Sequence, residues 1–161
     1  MELRCLTDDA ALVRASEKLN LGVLPVQPPA FCYRRAEKDQ HRLSWAMVRT
    51  NVQLVVTGAV TADLEVERTG ERTVQVRTLA VDVRYRRQGI GTQLVRKVIE
   101  QAKEVETEGE EIGAVRLHVH AGNSEAVAFY KALGFVEIAT VDDYYRRLKP
   151  RTAFVMEYAL H

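Results

Sequence analysis

The residues best placed for chemistry form one run, Leu79-Ala80-Val81-Asp82-Val83-Arg84-Tyr85-Arg86-Arg87-Gln88-Gly89-Ile90-Gly91-Thr92. A β-branched stretch passes through a basic, glycine-bearing turn straight into a helical pattern. The first turn of a helix carries amides with no intrahelical partner, and its dipole favours anions. Gly89 and Gly91 remove side chains where a phosphate would approach the backbone, and Arg86 and Arg87 add positive charge. The segment therefore reads as a diphosphate cradle. Glycine is also common in strand-to-helix turns for their shape alone, and that plainer reading stands beside it. Two other cradles are excluded: the Gly-Lys-Ser/Thr of a Walker loop is missing, and Leu94 stands where a dinucleotide fingerprint needs a third glycine or alanine.

The elements that must position this run follow from periodicity. Upstream, Leu43 to Val83 holds β-branched and aromatic residues in short runs, broken at Thr50-Asn51 and at Arg68-Thr69-Gly70-Glu71, which predicts a three-stranded antiparallel meander. Downstream, Ile90, Leu94, Val95, Val98, Ile99 and Ala102 recur at helical spacing and predict an amphipathic helix from Gly89 to Val105. An acidic loop is expected over Glu104 to Glu111. Ala114 to His120 alternates, with Val115, Leu117 and Val119 on one face and Arg116, His118 and His120 on the other. Asn123 then caps a helix whose apolar side is Ala126, Val127, Phe129, Tyr130 and Leu133, and Gly134 ends it. Two more strands are expected, Phe135 to Val141 and Ala153 to Ala159, joined by the aromatic and basic loop from Asp142 to Pro150.

At the N-terminal end, a short strand over Glu2 to Leu6 precedes a helix capped by Thr7 or Asp8 and ending near Asn20-Leu21-Gly22. Gly22 to Pro29 reads as an irregular, proline-stiffened loop. A second helix is expected over Ala30 to Asp39, with Tyr33-Arg34-Arg35 as a surface basic cluster. The order β-α-α-β-β-β-α-β-α-β-β makes a mixed α/β domain spanning residues 1–161, with no internal repeat.

Composition narrows the function classes. The chain has 161 residues, 47% hydrophobic and 28% charged, which suits one domain with a real core. Lys and Arg number 23 against 22 Asp and Glu, a formal net charge of +1, so no global field draws the protein to nucleic acid or an anionic membrane. Acidic residues interrupt each apolar run near the N-terminus, so neither a signal peptide nor a membrane span is expected. Cys5 and Cys32 lack metal-site spacing, and a reducing, cytoplasmic setting is the expectation, with no metal.

Arg86-x-x-Gly89-x-Gly91 after a meander resembles the acyl-CoA signature Gln/Arg-x-x-Gly-x-Gly/Ala of the GNAT acetyltransferases. Asn123-Ser124-Glu125-Ala126-Val127-Ala128-Phe129-Tyr130-Lys131-Ala132-Leu133-Gly134-Phe135 is similar to that superfamily's Asn-x-x-Ala-x-x-Phe-Tyr-x-x-x-Gly-Phe helix. Within the superfamily, Tyr85 to Thr92, Leu117-His118-Val119, Asn123 to Ala126, the tandem tyrosines of Tyr144 to Pro150 and the Leu24-Pro25-Val26 loop resemble the catalytic subunits of the N-terminal acetyltransferase E complex, NatE. The resemblance implies the acyl-CoA N-acyltransferase fold, a mostly antiparallel sheet of about seven strands with about four flanking helices.

The resemblance also assigns roles. Acetyl-CoA would be the cosubstrate, held by Leu79, Val81 and Val83 on a splayed fourth strand, by Arg86, Arg87, Gln88, Gly89, Ile90, Gly91 and Thr92 in the cradle, and by Asn123 and Tyr130. An α-amine would attack the thioester directly, with no acyl-enzyme. His118 matches the family's catalytic histidine, and an imidazole of ordinary pKa about 6.5 suits removal of one proton from that amine. Gln75 stands where the family has a tyrosine; an amide holds a water but is no base near neutral pH. Tyr130 would offer its hydroxyl to the departing sulfur. Leu24, Pro25, Val26, Tyr144 and Tyr145, with His118, would enclose the first residue of a protein N-terminus, suited to methionine, although Leu24 and Pro28 replace a family Phe and Tyr. The plainer readings are a solvated His118, a core Tyr130, a capping Asn123 and an apolar lid over the core.

Three functions follow: acetylation of protein N-termini, with some lysine acetylation on the side; acetylation of a small amine such as a polyamine, which would favour an acidic pocket; or a weakly active subunit that binds a large auxiliary subunit in a ribosome-associated assembly.

Overall fold

A computed structural model describes all 161 residues. β1 (Glu2–Cys5) leads into a 3-10 turn over Leu6–Asp8, and α1 (Ala10–Val23) follows. That turn moves the cap: Asp9, not Thr7 or Asp8, is extended at φ −156°, and its carboxylate accepts the Ala11 amide at 2.9 Å. Gly22 lies in open space and does not stop α1, which runs on to Val23, where the Leu24 amide closes back on the Asn20 carbonyl at 2.9 Å. The irregular loop accordingly begins at Leu24, two residues later than expected. α2 (Phe31–Lys38), β2 (Trp45–Thr50), β3 (Leu54–Val66) and β4 (Arg72–Val81) come next. Tyr33 is a correction to the surface cluster: it is buried, its hydroxyl accepting from Asn20 Nδ2 at 2.9 Å.

A 3-10 turn (Val83–Tyr85) joins β4 to α3 (Ile90–Thr107), followed by β5 (Ala114–His120), α4 (Ser124–Ala132), β6 (Val136–Val141) and β7 (Ala153–Ala159). α3 runs to Thr107, two residues past the expected end at Val105, where the Glu108 amide closes back on the Glu104 and Val105 carbonyls, both at 3.2 Å, so the acidic loop shortens at its start. The strands form one sheet in the order β1-β2-β3-β4-β5-β7-β6, antiparallel except where β4 pairs with β5. This is the mixed, mostly antiparallel seven-stranded sheet with four helices that the sequence implies.

Two apolar clusters hold the layers. Ile90, Leu94, Val95, Val98 and Ala102 of α3, with Tyr130 of α4, pack on Val60, Val74, Val76, Val115, Leu117 and Met156. Leu12 and Val13 of α1, with Tyr33 and Ala36 of α2, pack with Leu6 against Ala46, Val48, Val56 and Ala59 in a second cluster. Gly58 of β3 lets α3 approach, since a Cβ there would stand 2.8 Å from the Ile90 Cγ2 and 3.2 Å from the Ala80 carbonyl. No helix is long and apolar enough to cross a membrane.

One irregularity positions the site. Thr61 pairs with Thr78 and Ala62 with Val76, leaving Arg77 as the extra residue of a β-bulge in β4. The bulge swaps the faces of the strand: Val74 and Val76 enter the α3 core before it, Leu79 and Val81 pack on that core after it. The parallel β4–β5 ladder, which starts at Thr73 and Ala114, stops at Val76 and Leu117. Beyond that point the two strands diverge, and a wedge opens between them.

Candidate active site

Each side of the wedge offers different chemistry. Asp82 donates its amide to the Thr57 carbonyl at 2.8 Å. Bonded pairs recur every second residue of an antiparallel ladder, so Ala80 also bonds β3, whereas Leu79 and Val81 turn their amides and carbonyls into the wedge. Val83 does not share this role on the strand, because β4 ends at Val81 and Val83 lies in the following turn, 65% exposed. That turn is pinned by Asp82, whose carboxylate accepts from the Arg84 amide and guanidinium; the Arg84 hydrogen bond lowers its pKa to about 2.

The cradle is built as its glycines suggest. Arg87 (φ 61°) and Gly89 (φ 77°) both adopt left-handed backbone, turning the chain sharply into α3. A Cβ on Gly89 would meet only Gln93 Nε2, at 3.9 Å, so backbone and open space face outward there. The first closed helical bond runs from the Gln93 amide to the Gly89 carbonyl at 3.0 Å, leaving Ile90, Gly91 and Thr92 without helical acceptors. Arg86 folds back, its Nε donating to the Val81 carbonyl at 3.2 Å, which holds a guanidinium between cradle and wedge. Left-handed backbone, unpaired amides and two arginines fit a diphosphate. Gly91 has a second reason to lack a side chain, because a Cβ would lie 3.4 Å from the Phe129 ring of α4.

A cleft of about 380 Å³ occupies the wedge's other side, and its walls include Leu24, Pro25, Val26, Pro28, Gln75, Arg77, Leu79, His118, Asn123, Tyr130, Tyr144 and Tyr145. His118 and the tyrosine loop meet directly: the imidazole stacks on the Tyr144 ring with centroids 4.5 Å apart and planes 4° from parallel. Tyr145 stands edge-on to Tyr144 at 4.9 Å and to His120 at 5.3 Å. His120 differs in role from His118: its Nε2 is engaged with the Pro150 carbonyl at 2.6 Å and ties down the loop. Partial enclosure lowers the His118 pKa below 6.5, and the positive charge of Arg77 adds to the effect. The ring is therefore neutral, and able to take a proton, at pH 7.

Tyr130 is both core and cleft. Its ring packs edge-on to Phe129 and Phe135, and the residue is 8% exposed, yet no protein group bonds its hydroxyl, which faces the cleft. Burial raises its pKa well above the usual phenol range, keeping it a donor. Asn123 caps α4 by accepting the Ala126 amide at 3.1 Å, which leaves its side-chain amide free on the cleft wall. Gln75 is buried, with Nε2 on Thr73 Oγ1 at 3.0 Å.

An ion-pair network at the bulge is the part the sequence reading missed. Arg77 clasps buried Asp63 through Nε and Nη2, both at 3.0 Å, and reaches Glu65 at 3.0 Å; Arg35 adds a contact to Asp63 at 3.4 Å. Strand periodicity marks Asp63 and Glu65 as facing one way, but only the bulge brings Arg77 to them. Burying Asp63 is tolerable because its charge is matched in bidentate geometry.

Residues 14–135 match the acetyltransferase (GNAT) family model, and the chain belongs to that family. Among its relatives, N-alpha-acetyltransferase 50 of Danio rerio is 31% identical over 106 residues, 66% of this chain and 60% of its own length. The Drosophila melanogaster protein named "Probable N-acetyltransferase san" is 33% identical over 106 residues, 66% of this chain and 55% of its own length. The chain thus spans little more than half the length of these two curated relatives. The solved structure of Arabidopsis thaliana Naa50 in complex with the bisubstrate analogue CoA-Ac-MVNAL has a TM-score of 0.80 at 26% identity, covering 98% of this chain and 97% of that one.

Proposed function

We propose that this chain acetylates the α-amino group of protein N-termini, with methionine favoured as the first residue, by direct attack in a ternary complex in the cytoplasm. The observation that carries the proposal is the wedge: one opening between β4 and β5 has the anion cradle on one side and, on the other, a cleft closed by Tyr144 stacked on His118. Acetyl-CoA supplies the acetyl group as a thioester. His118, neutral and in the cleft, takes the proton the amine loses as its nitrogen bonds to the carbonyl carbon. Tyr130 donates a hydrogen bond to the sulfur that leaves with the electrons of the broken C–S bond. Cys32 is no nucleophile, since it is buried and burial raises its thiol pKa, which supports direct attack over an acyl-enzyme.

Leu24, Pro25 and Val26 give an apolar wall suited to a methionine side chain, and the analogue in the Arabidopsis structure carries a peptide that begins with methionine. A conjugate joining CoA through an acetyl bridge to a Met-first peptide tests the arrangement. It should bind at least tenfold tighter than CoA or the peptide alone, by joining two sites in one ligand. Affinity no better than that of CoA would remove the peptide from the cleft.

Gln75 favours a second reading, a subunit that binds acetyl-CoA but turns over little and serves a larger assembly with an auxiliary subunit. Polyamine acetylation has less support, because Asp63 and Glu65 are already matched by Arg77.

A further inference from the structure

Beside His118 the cleft wall carries a second polar side chain, Gln75, whose orientation decides what it offers an incoming amine. Resting on the function proposed above, we infer that a directional hydrogen-bond chain, Glu67–Thr73–Gln75, anchored by the Arg116–Glu67 ion pair, fixes Gln75 with its Oε1 turned into the cleft as the acceptor for the substrate ammonium or for a water that passes its proton to His118. Gln75 would then be a substrate-contacting residue, and Thr73, Glu67 and Arg116 positioning residues.

The chain can be read from its charged end. Arg116 of β5 is the register partner of Gln75 on β4, and its side chain gathers three carboxylates: Glu157 at 2.6 Å, Glu67 at 3.5 Å and Glu71 at 3.5 Å. A carboxylate held by a guanidinium is ionised and can only accept. The Thr73 hydroxyl lies 3.4 Å from Glu67 Oε1, so its single proton points there. Thr73 is fully buried, and its oxygen is then left only as an acceptor. Gln75, 3.0 Å away, has to present its NH2 to that oxygen, which is the orientation found. Its Oε1 is thereby directed away from Thr73. No protein group donates to it, although Gln75 is only 7% exposed and lines the cleft beside His118. Without the charge on Glu67, a rotated Thr73 and a flipped Gln75 become available, and the flipped form would show a donor to an incoming cation.

The chain is tested in two arms on the full-length protein. Amide-proton exchange of the Gln75 side chain, followed by 15N NMR with no ligand, reads the orientation. Steady-state kinetics with a Met-first peptide, together with acetyl-CoA affinity, reads the role. In the parent protein one Gln75 Nε2 proton should exchange slowly. In Thr73→Val and Glu67→Gln it should exchange at least tenfold faster, and in Thr73→Ser, which keeps the hydroxyl, it should stay slow. Thr73→Val and Glu67→Gln should each lower kcat/KM for peptide about tenfold with acetyl-CoA affinity unchanged, and the double variant should be no worse than either alone, as expected of one unit. Unchanged exchange in Glu67→Gln overturns the orientation, and altered exchange with parental kcat/KM overturns the role. A parent protein that binds acetyl-CoA but acetylates no amine sinks the function proposed above and with it the role, while the exchange arm still decides the orientation.

Discussion

At the scale of single residues, His118 combines a stacked ring with a lowered pKa. It is stacked face to face on Tyr144, and its pKa is depressed by partial enclosure first and by Arg77 second. The depressed pKa sets the sign of the pH response. A base works when deprotonated, so kcat/KM for peptide should fall only as pH drops through a value below 6.5, and the acid limb should be missing between pH 7 and 8 apart from the ionisation of the α-amine itself. His118→Ala should cut kcat by about 10²-fold while acetyl-CoA affinity stays within twofold, measured by initial rates and by calorimetry. A parental kcat would remove His118 as the base. Tyr144→Phe keeps the stacked ring and should retain the depressed acid limb, whereas Tyr144→Ala opens the imidazole to water and should move the limb upward toward 6.5. The family resemblance, not spacing alone, singled out His118, Tyr130, Asn123 and the tandem tyrosines, and all of them line the cleft. Arg77 and Asp63 were not singled out, since nothing in their spacing says that a bulge will bring an arginine and a buried carboxylate together.

At the scale of elements, the meander, α3, β5 and α4 were legible in full outline because each repeats an apolar period over many residues, and Ile90, Leu94, Val98 and Ala102 are buried as that period requires. The ends were less so. Asp9 took the cap from Thr7 and Asp8 through a 3-10 turn, and α1 ran past Gly22, because ends depend on a few local hydrogen bonds and not on a period. The bulge at Arg77 was invisible for a related reason: one extra residue inverts the faces of β4 without altering its β-rich composition. α3 carries both fold and site, and two variants separate these duties. Leu94→Ala, at a fully buried position, should cost about 2–5 kcal/mol in denaturant unfolding yet leave the Gly89–Thr92 backbone able to bind acetyl-CoA where the protein is folded. Gly91→Glu should abolish acetyl-CoA binding by placing a carboxylate among the cradle amides, with some loss of melting temperature from its contact with Phe129; retained affinity would misplace the cradle.

At the scale of the whole molecule, a chain of net charge +1 concentrates its chemistry where two strands part. The cradle is basic and lies at a helix start; the cleft is aromatic and apolar; His118 stands where the two meet. This layout favours joining an anionic cofactor to an apolar chain end that carries a single amine over binding a polycation. The most direct measurement is CoA release from acetyl-CoA by the purified protein, offered peptides beginning with methionine and an apolar residue, peptides beginning with serine or alanine, and polyamines. Turnover confined to the Met-first peptides, with the acetyl group on the α-nitrogen by mass spectrometry, is the expected result. Turnover on polyamines alone, or acetyl-CoA binding with no turnover on any amine, would contradict it.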